Sequence, residues 1–210
     1  MGVQFKYSFE LYDDFAKSKL LFEGAQSIML DCNFGTYPYV TSGGCGINGI
    51  INSGFSQFLP SKIYGITKCY CTRVGEGPFP TEIFGEEAEN LRKLGNEYGS
   101  TTGRPRRIGW LDLPALNYAC KKGGITNLIV TKFDILNGMK TVSVCHKYDK
   151  TPVCGADFFA ARPEYIKMDG WKDAKDISQL KNFLLFIEDH VELPISYVSC
   201  GTGDKDIYDI

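Results

Sequence analysis

The stretch LDLPALNYACKKGGITNLIVT, Leu111 to Thr131, carries a helix and a strand in series. Asp112 offers an oxygen to cap the helix, Pro114 sits in the first turn where its missing N–H costs nothing, and Gly123-Gly124 stop it. The β-branched run that follows reads as a strand. Working toward the C-terminus, NLIVTKFDIL and MKTVSVCHKY flank Asn137-Gly138, a strong short hairpin signal, and two antiparallel strands are expected there. Ser178 precedes a helix carrying Leu180, Phe183, Leu184 and Ile187, and PISYVSCG supplies a terminal strand. Working toward the N-terminus, KIYGITKCYCTRV is strand-like, and Thr81 can cap a helix with the apolar face Phe84, Ala88, Leu91 and Leu94, closing near Gly99. Phe5, Phe9, Tyr12, Phe15 and Ala16 recur at helical spacing, and LLFEGA after them reads as a short buried strand ending on Gly24. The class is α/β, a mixed sheet with flanking helices, and no linker divides residues 1–210, so one domain is expected.

The composition narrows the partners. A chain of 210 residues with 43% hydrophobic content is long enough to bury a core, and a formal net charge of −2 gives no global attraction to nucleic acid or an anionic membrane. No apolar run has transmembrane length, and MGVQFKYSFELYDDF is amphipathic and acidic rather than a signal peptide, which points to the cytosol. The eight cysteines form no CxxC pair; Cys69 and Cys71 read as two thiols on a strand, and two histidines, His146 and His190, are few for a zinc site.

Positive charge is nevertheless concentrated in GSTTGRPRRIGW, Gly99 to Trp110. Arginine forks match carboxylate or phosphate oxygens in pairs, threonine hydroxyls and backbone N–H groups can complete such a cradle, and Pro105 stiffens the loop before binding. A solvated charged turn is the plainer reading. In TKFD, Thr131 to Asp134, an extended chain puts Lys132 and Asp134 on one face, where a carboxylate can accept two hydrogens from a guanine edge; a surface ion pair explains the same residues. FEGAQ, Phe22 to Gln26, and GTYPYVTS add an amide and hydroxyls, and TSGGCGINGIINSGF is glycine-rich, either a close backbone approach or a loop.

Taken together, FEGAQ, DCNFGTYPYVTS, YGITKCYCTRVGEGPFPTE, GNEYGSTTGRPRRIGWLD, TKFDILNG, PEYIKMDGW and VSCG resemble the C-terminal half of the adenylosuccinate synthetases. The resemblance implies part of a P-loop-NTPase-like fold and a GTP-dependent ligation of IMP with aspartate, through a 6-phosphoryl-IMP intermediate that the aspartate amine displaces. It implies that Gln26, Thr41 and Arg104 bind IMP. Ser100, Thr101, Thr102, Gly103, Arg104, Pro105 and Arg106 would form the aspartate loop. Arg106, Lys132, Phe133, Asp134, Ser199, Cys200 and Gly201 would serve GTP, with Val74 beside the nucleotide. Mg²⁺ and a homodimer belong to the same implication.

Neither the family's phosphate loop, with its Mg²⁺-binding aspartate, nor its catalytic histidine segment occurs in these residues. No catalytic residue and no metal ligand is therefore assigned, and the chain is expected to be inactive alone. A non-catalytic purine-nucleotide-binding module, or a phage-type relative condensing dGMP with aspartate, are the alternatives.

Overall fold

The computed structural model describes residues 12, 14–99 and 103–210. Phe5 and Phe9 of the expected opening helix, and Ser100, Thr101 and Thr102 of the arginine loop, lie outside the described residues. The described elements are α1 (Ile47–Asn52), β1 (Tyr64–Lys68), β2 (Tyr70–Arg73), α2 (Gly85–Leu94), β3 (Arg107–Asp112), α3 (Leu113–Gly123), β4 (Asn127–Thr131), β5 (Thr141–Tyr148), β6 (Pro163–Asp169), α4 (Lys181–Val191), β7 (Ile195–Ser199) and β8 (Ile207–Asp209). Their strands make two four-stranded sheets, ordered β1-β4-β7-β8 and β2-β3-β5-β6. In the first, β1, β4 and β7 run parallel and β8 returns antiparallel. In the second, only β3 and β5 are parallel. This is the mixed α/β class read from the sequence.

Local chemistry accounts for the helices. Asp112 accepts the Ala115 N–H at 3.1 Å, Pro114 occupies the first turn, and Gly124 ends α3 in the left-handed region at φ 65°. Lys121 and Lys122 sit in its last turn, where the helix dipole favours cations. Helix α4 follows a 3-10 turn, Ile177–Leu180, whose cap is Asp176 rather than Ser178. It buries Phe183, Leu184, Ile187 and Val191 along one stripe. A single apolar cluster takes Leu128, Val130 and Val198 from the first sheet, Ile108, Val142 and Val144 from the second, Phe183 from α4 and Trp171 from the chain after β6.

Several expectations are corrected. The residues on either side of Asn137-Gly138 do not pair as a hairpin: Lys132 turns left-handed at φ 69°, and the 3-10 turn Phe133–Leu136 drops Phe133 and Leu136 into the core. Strand β4 then pairs with β1 and β7, whereas β5 takes β6 as its antiparallel neighbour. For the same reason Lys132 and Asp134 are not on an extended chain. LLFEGA is not a strand and is largely exposed, with Leu21 96% accessible, since no described strand offers it a ladder. Thr81 caps nothing; α2 begins after Phe84 and ends at Gly95, four residues before Gly99, and Phe84 and Leu94 of its supposed apolar face are exposed. PISYVSCG is followed by another strand, β8.

The glycine-rich segment resolves in part as close backbone approach. A Cβ on Gly49 would lie 2.7 Å from the Gly44 carbonyl oxygen, so α1 packs onto the chain that precedes it. All eight cysteines are free; Cys154 is exposed, and burial pushes the Cys71 thiol up to about 12. No helix among the described residues is long and apolar enough to cross a membrane. Strand β1 lies at the edge of its sheet with Ile66 exposed.

Candidate functional site

The C-terminal ends of parallel strands are where α/β folds place ligands, because the strand-to-loop turns there leave a crevice. Strands β4 and β7 are parallel neighbours, with Val130 opposite Val198, so the turn after Thr131 and the turn after Ser199 sit side by side. Asp134 is half-buried there. Burial raises the Cys200 thiol to about 11, and the nearby Asp134 carboxylate adds to the shift. The Ser199 hydroxyl donates to the Gly201 carbonyl at 3.1 Å, and the Gly203 N–H reaches Asp206 at 3.1 Å. Asp206, itself salt-bridged to Lys175 at 2.7 Å, thereby orders the Ser199–Gly203 loop.

The side chains of Phe133 and Cys200, both expected beside a base, are buried. The Phe133 ring has no solvent exposure and packs on Trp171 and Phe183 at centroid distances of 5.3 and 5.9 Å. Trp171 donates its indole N–H to the Phe133 carbonyl at 2.9 Å. The Cys200 thiol is directed to the Ala174 carbonyl. Either residue can offer a ligand backbone only.

The second group lines a cleft of about 1750 Å³ that takes in Gln26, Thr41, Val74 and Arg106. Gln26 is exposed with φ 66°. The segment leading to Thr41 is organised by Asp31, fully buried, whose carboxylate accepts from the N–H groups of Asn33, Phe34 and Cys45 and from the Asn48 amide. Burial raises its pKa, and these four donors overcome that effect and hold it below the ordinary carboxylate value. Arg73 ties this segment to β2 through Thr36 Oγ1 at 3.0 Å and the Tyr39 carbonyl at 3.2 Å.

The arginine loop is stapled at its base. Tyr98 pairs with Pro105 in an antiparallel bridge, the Gly103 N–H donates to the Gly99 carbonyl at 2.8 Å, and the Arg106 N–H donates to the Glu97 carbonyl at 3.0 Å. Gly103 takes φ 64° in the turn. Arg104 is exposed. Arg106 Nη1 meets the carboxylate of Glu97 at 2.7 Å, and the same carboxylate accepts from Lys68 Nζ and the Tyr70 hydroxyl, each at 2.7 Å. Glu97, 1% exposed, was not singled out from the sequence, where a glutamate in GNEYG reads as solvated. Two of its three donors, Lys68 and Tyr70, come from β1 and β2, far away in the chain, and no local pattern announces them.

The two groups meet through lysines. Lys132 Nζ donates to the Gly95 carbonyl at 3.0 Å, at the foot of the arginine loop, and the Cys69 thiol between Lys68 and Tyr70 reaches the Lys132 carbonyl at 3.2 Å. Burial lowers the Lys68 pKa; Glu97 opposes that, while Arg106 and Lys132 lower it further as neighbouring cations. Three positive side chains therefore share one place in a chain of net charge −2. Among the described residues no group of three or more His, Cys, Asp and Glu could hold a metal ion, and the Glu97 carboxylate, taken by three donors, is not free to ligate one.

A mixed α/β protein with paired strand-end turns beside a cationic, arginine-lined cleft is of the kind that binds anionic ligands such as nucleotides. The family model for adenylosuccinate synthetase matches residues 6–208. The adenylosuccinate synthetases of Petrotoga mobilis and Finegoldia magna are 50% and 46% identical over 213 residues, 99% of this chain and 50% and 51% of theirs. A fully ligated adenylosuccinate synthetase from Plasmodium falciparum superposes with a TM-score of 0.86 at 33% identity, over 97% of this chain and 53% of that one. The cyanophage S-2L succinoaminodeoxyadenylate synthetase, bound to dGMP and dATP, shares the fold at a TM-score of 0.56 and 18% identity, over 89% of this chain and 45% of that one. The chain belongs to the adenylosuccinate synthetase family. It spans about half the length of the curated relatives it matches.

Proposed function

We propose that this chain is the part of an adenylosuccinate synthetase that holds the guanine base and the aspartate-side anions during GTP-dependent ligation of IMP with L-aspartate in purine biosynthesis. One observation carries the reading: the Lys132–Asp134 turn and the arginine loop, separate in sequence, are joined by the Lys132–Gly95 contact into a single cationic site. In this reading Gln26, Thr41 and Arg104 take IMP, residues 100–106 take aspartate, and Arg106, Lys132, Phe133, Asp134, Ser199, Cys200 and Gly201 take GTP, with Phe133 and Cys200 acting through backbone. Identities of 50% and 46% to adenylosuccinate synthetases, against 18% to the dGMP-bound phage enzyme, favour IMP over dGMP. The working protein is a cytoplasmic homodimer that uses Mg²⁺ held outside this chain's described side chains, and the chain is one domain, which the core shared by both sheets supports.

These 210 residues alone form no adenylosuccinate from IMP, aspartate and GTP, because a phosphate cradle and a base for the purine N1–H each supply a separate part of the barrier reduction. The test is a turnover assay of the homogeneous chain, repeated with the N-terminal half of the Petrotoga mobilis relative added. Product from the chain alone, abolished by Arg104→Ala, would overturn the reading; continued inactivity of a stable mixed complex would support a non-catalytic nucleotide-binding module instead.

Asp134→Asn tests the base pocket. An amide presents one donor and one acceptor where the carboxylate offers two acceptors, so GDP binding should weaken by about 1–3 kcal/mol and xanthosine diphosphate should gain relative to it. Calorimetry with both nucleotides at high concentration reads the difference. Equal affinities in the wild type, unchanged by the substitution, would show that this turn reads no base.

A further inference from the structure

Arg106 is engaged on one side only. Its Nη1 donates one hydrogen bond to Glu97 at 2.7 Å, while its Nε is buried and has no hydrogen-bond partner among the described residues. A buried donor left without an acceptor is costly, and the Nε and outer Nη2 hydrogens of a guanidinium form a parallel pair that matches two oxygens of a carboxylate or phosphate. Glu97 is itself over-determined. Its carboxylate is shared by Lys68 from the first sheet and Tyr70 from the second, and its backbone carbonyl accepts the Arg106 N–H at 3.0 Å. Burial raises its pKa, and the donors from Lys68, Tyr70 and Arg106 overcome that and keep it ionised.

We propose that Glu97 is the positioning residue of an oxyanion site: it holds Arg106 through Nη1 and so reserves the Nε/Nη2 edge for a carboxylate or phosphate, with Lys68 as the adjacent cation. This rests on the reading of the arginine loop as an anion loop. Two effects of Glu97 oppose each other. Its negative charge repels an arriving anion, whereas its grip pre-orients the guanidinium; the charge is already balanced by Lys68 and Arg106, so the grip dominates, because an Arg106 released from Glu97 must be re-ordered at the moment of binding.

The test follows the Arg106 Nε–H signal by nitrogen-15 NMR on the whole chain, with inorganic phosphate and L-aspartate as probes and GDP in parallel. The wild type should show a saturable shift at Arg106, absent in Arg106→Lys. Glu97→Asp keeps the charge but shortens the reach by one methylene, and should weaken phosphate binding about tenfold, as expected for a lost charge-assisted hydrogen bond. Glu97→Gln removes the repelling charge and should weaken it as well. Unchanged affinity in Glu97→Asp, or tighter binding in Glu97→Gln, would mean that Glu97 only balances charge and would overturn the proposal. If Glu97→Gln does not fold, Glu97→Asp decides. A silent Arg106 in the wild type while GDP moves the Gly201 amide overturns the oxyanion site and leaves the nucleotide reading standing; a chain in which GDP moves neither loses both.

Discussion

Trp171→Ala should lower the unfolding free energy by about 3–5 kcal/mol, the range for emptying a large aromatic site in a packed core. Trp171 is 2% exposed, lies 5.3 Å from both the Phe133 and Phe183 rings, and donates its indole N–H to the Phe133 carbonyl at 2.9 Å. Its own carbonyl accepts the Gly138 N–H at 2.8 Å, so one residue braces both ends of the turn that carries Asp134. Truncation opens a cavity and removes the indole hydrogen bond together. Trp171→Phe retains most of the volume and should cost about 1–2 kcal/mol, chiefly the lost indole hydrogen bond. Urea unfolding of the three proteins separates the two contributions. A loss below about 1.5 kcal/mol in Trp171→Ala would show that the turn is held by something other than the indole.

Asp112 should make the stability depend on pH in the direction opposite to most carboxylates. Burial raises its pKa from 3.8 to about 6, against the lowering effect of hydrogen bonds from the Tyr148 hydroxyl at 2.6 Å and the Ala115 N–H at 3.1 Å. The folded chain thus holds this proton more tightly than the unfolded chain. The resulting contribution is fully present below about pH 4 and is lost as the pH rises through about 6, a change on the order of 3 kcal/mol. Asp112→Asn keeps an oxygen for the Ala115 N–H and has no charge to bury, so its stability relative to the wild type should rise by that amount between pH 4 and pH 7. Urea unfolding of both proteins at pH 4, 5.5 and 7 reads the difference, and because other carboxylates cancel in it, a flat difference would show that Asp112 is not strained by its charge.

The elements that were legible in the sequence are those specified by neighbours in the chain. Helix α3 could be read from Asp112, Pro114 and Gly124 because a cap, a first-turn proline and a left-handed stop act within a few residues. The Asn137-Gly138 signal misled because strand pairing is a tertiary choice: both hydrogen-bonding edges of β4 were taken, by β1 from earlier and β7 from later in the chain, and the 3-10 turn that follows buried Phe133 instead of continuing the strand. The same holds for the site. TKFD, the arginine loop and VSCG were recognisable as segments, but their meeting rests on the β4–β7 pairing and the Lys132–Gly95 contact, and Glu97 became visible only when its burial and its three donors were seen together. A glutamate beside glycines carries no mark of burial until strands from elsewhere enclose it.

Between β1, which ends at Lys68, and β2, which begins at Tyr70, the chain changes sheets across the single residue Cys69. That brevity sets where relatives of this chain can differ in length. Strand side chains alternate, so one added residue at Cys69 would turn all of β2 over, carrying Tyr70 away from Glu97 and Arg73 away from Thr36. The connection between β5 and β6, residues 149–162, lies largely at the surface and can lengthen without such a penalty. Insertions and deletions among homologues should therefore gather in the second place and be purged from the first, which makes the spacing from Lys68 to Tyr70 a length marker for the site.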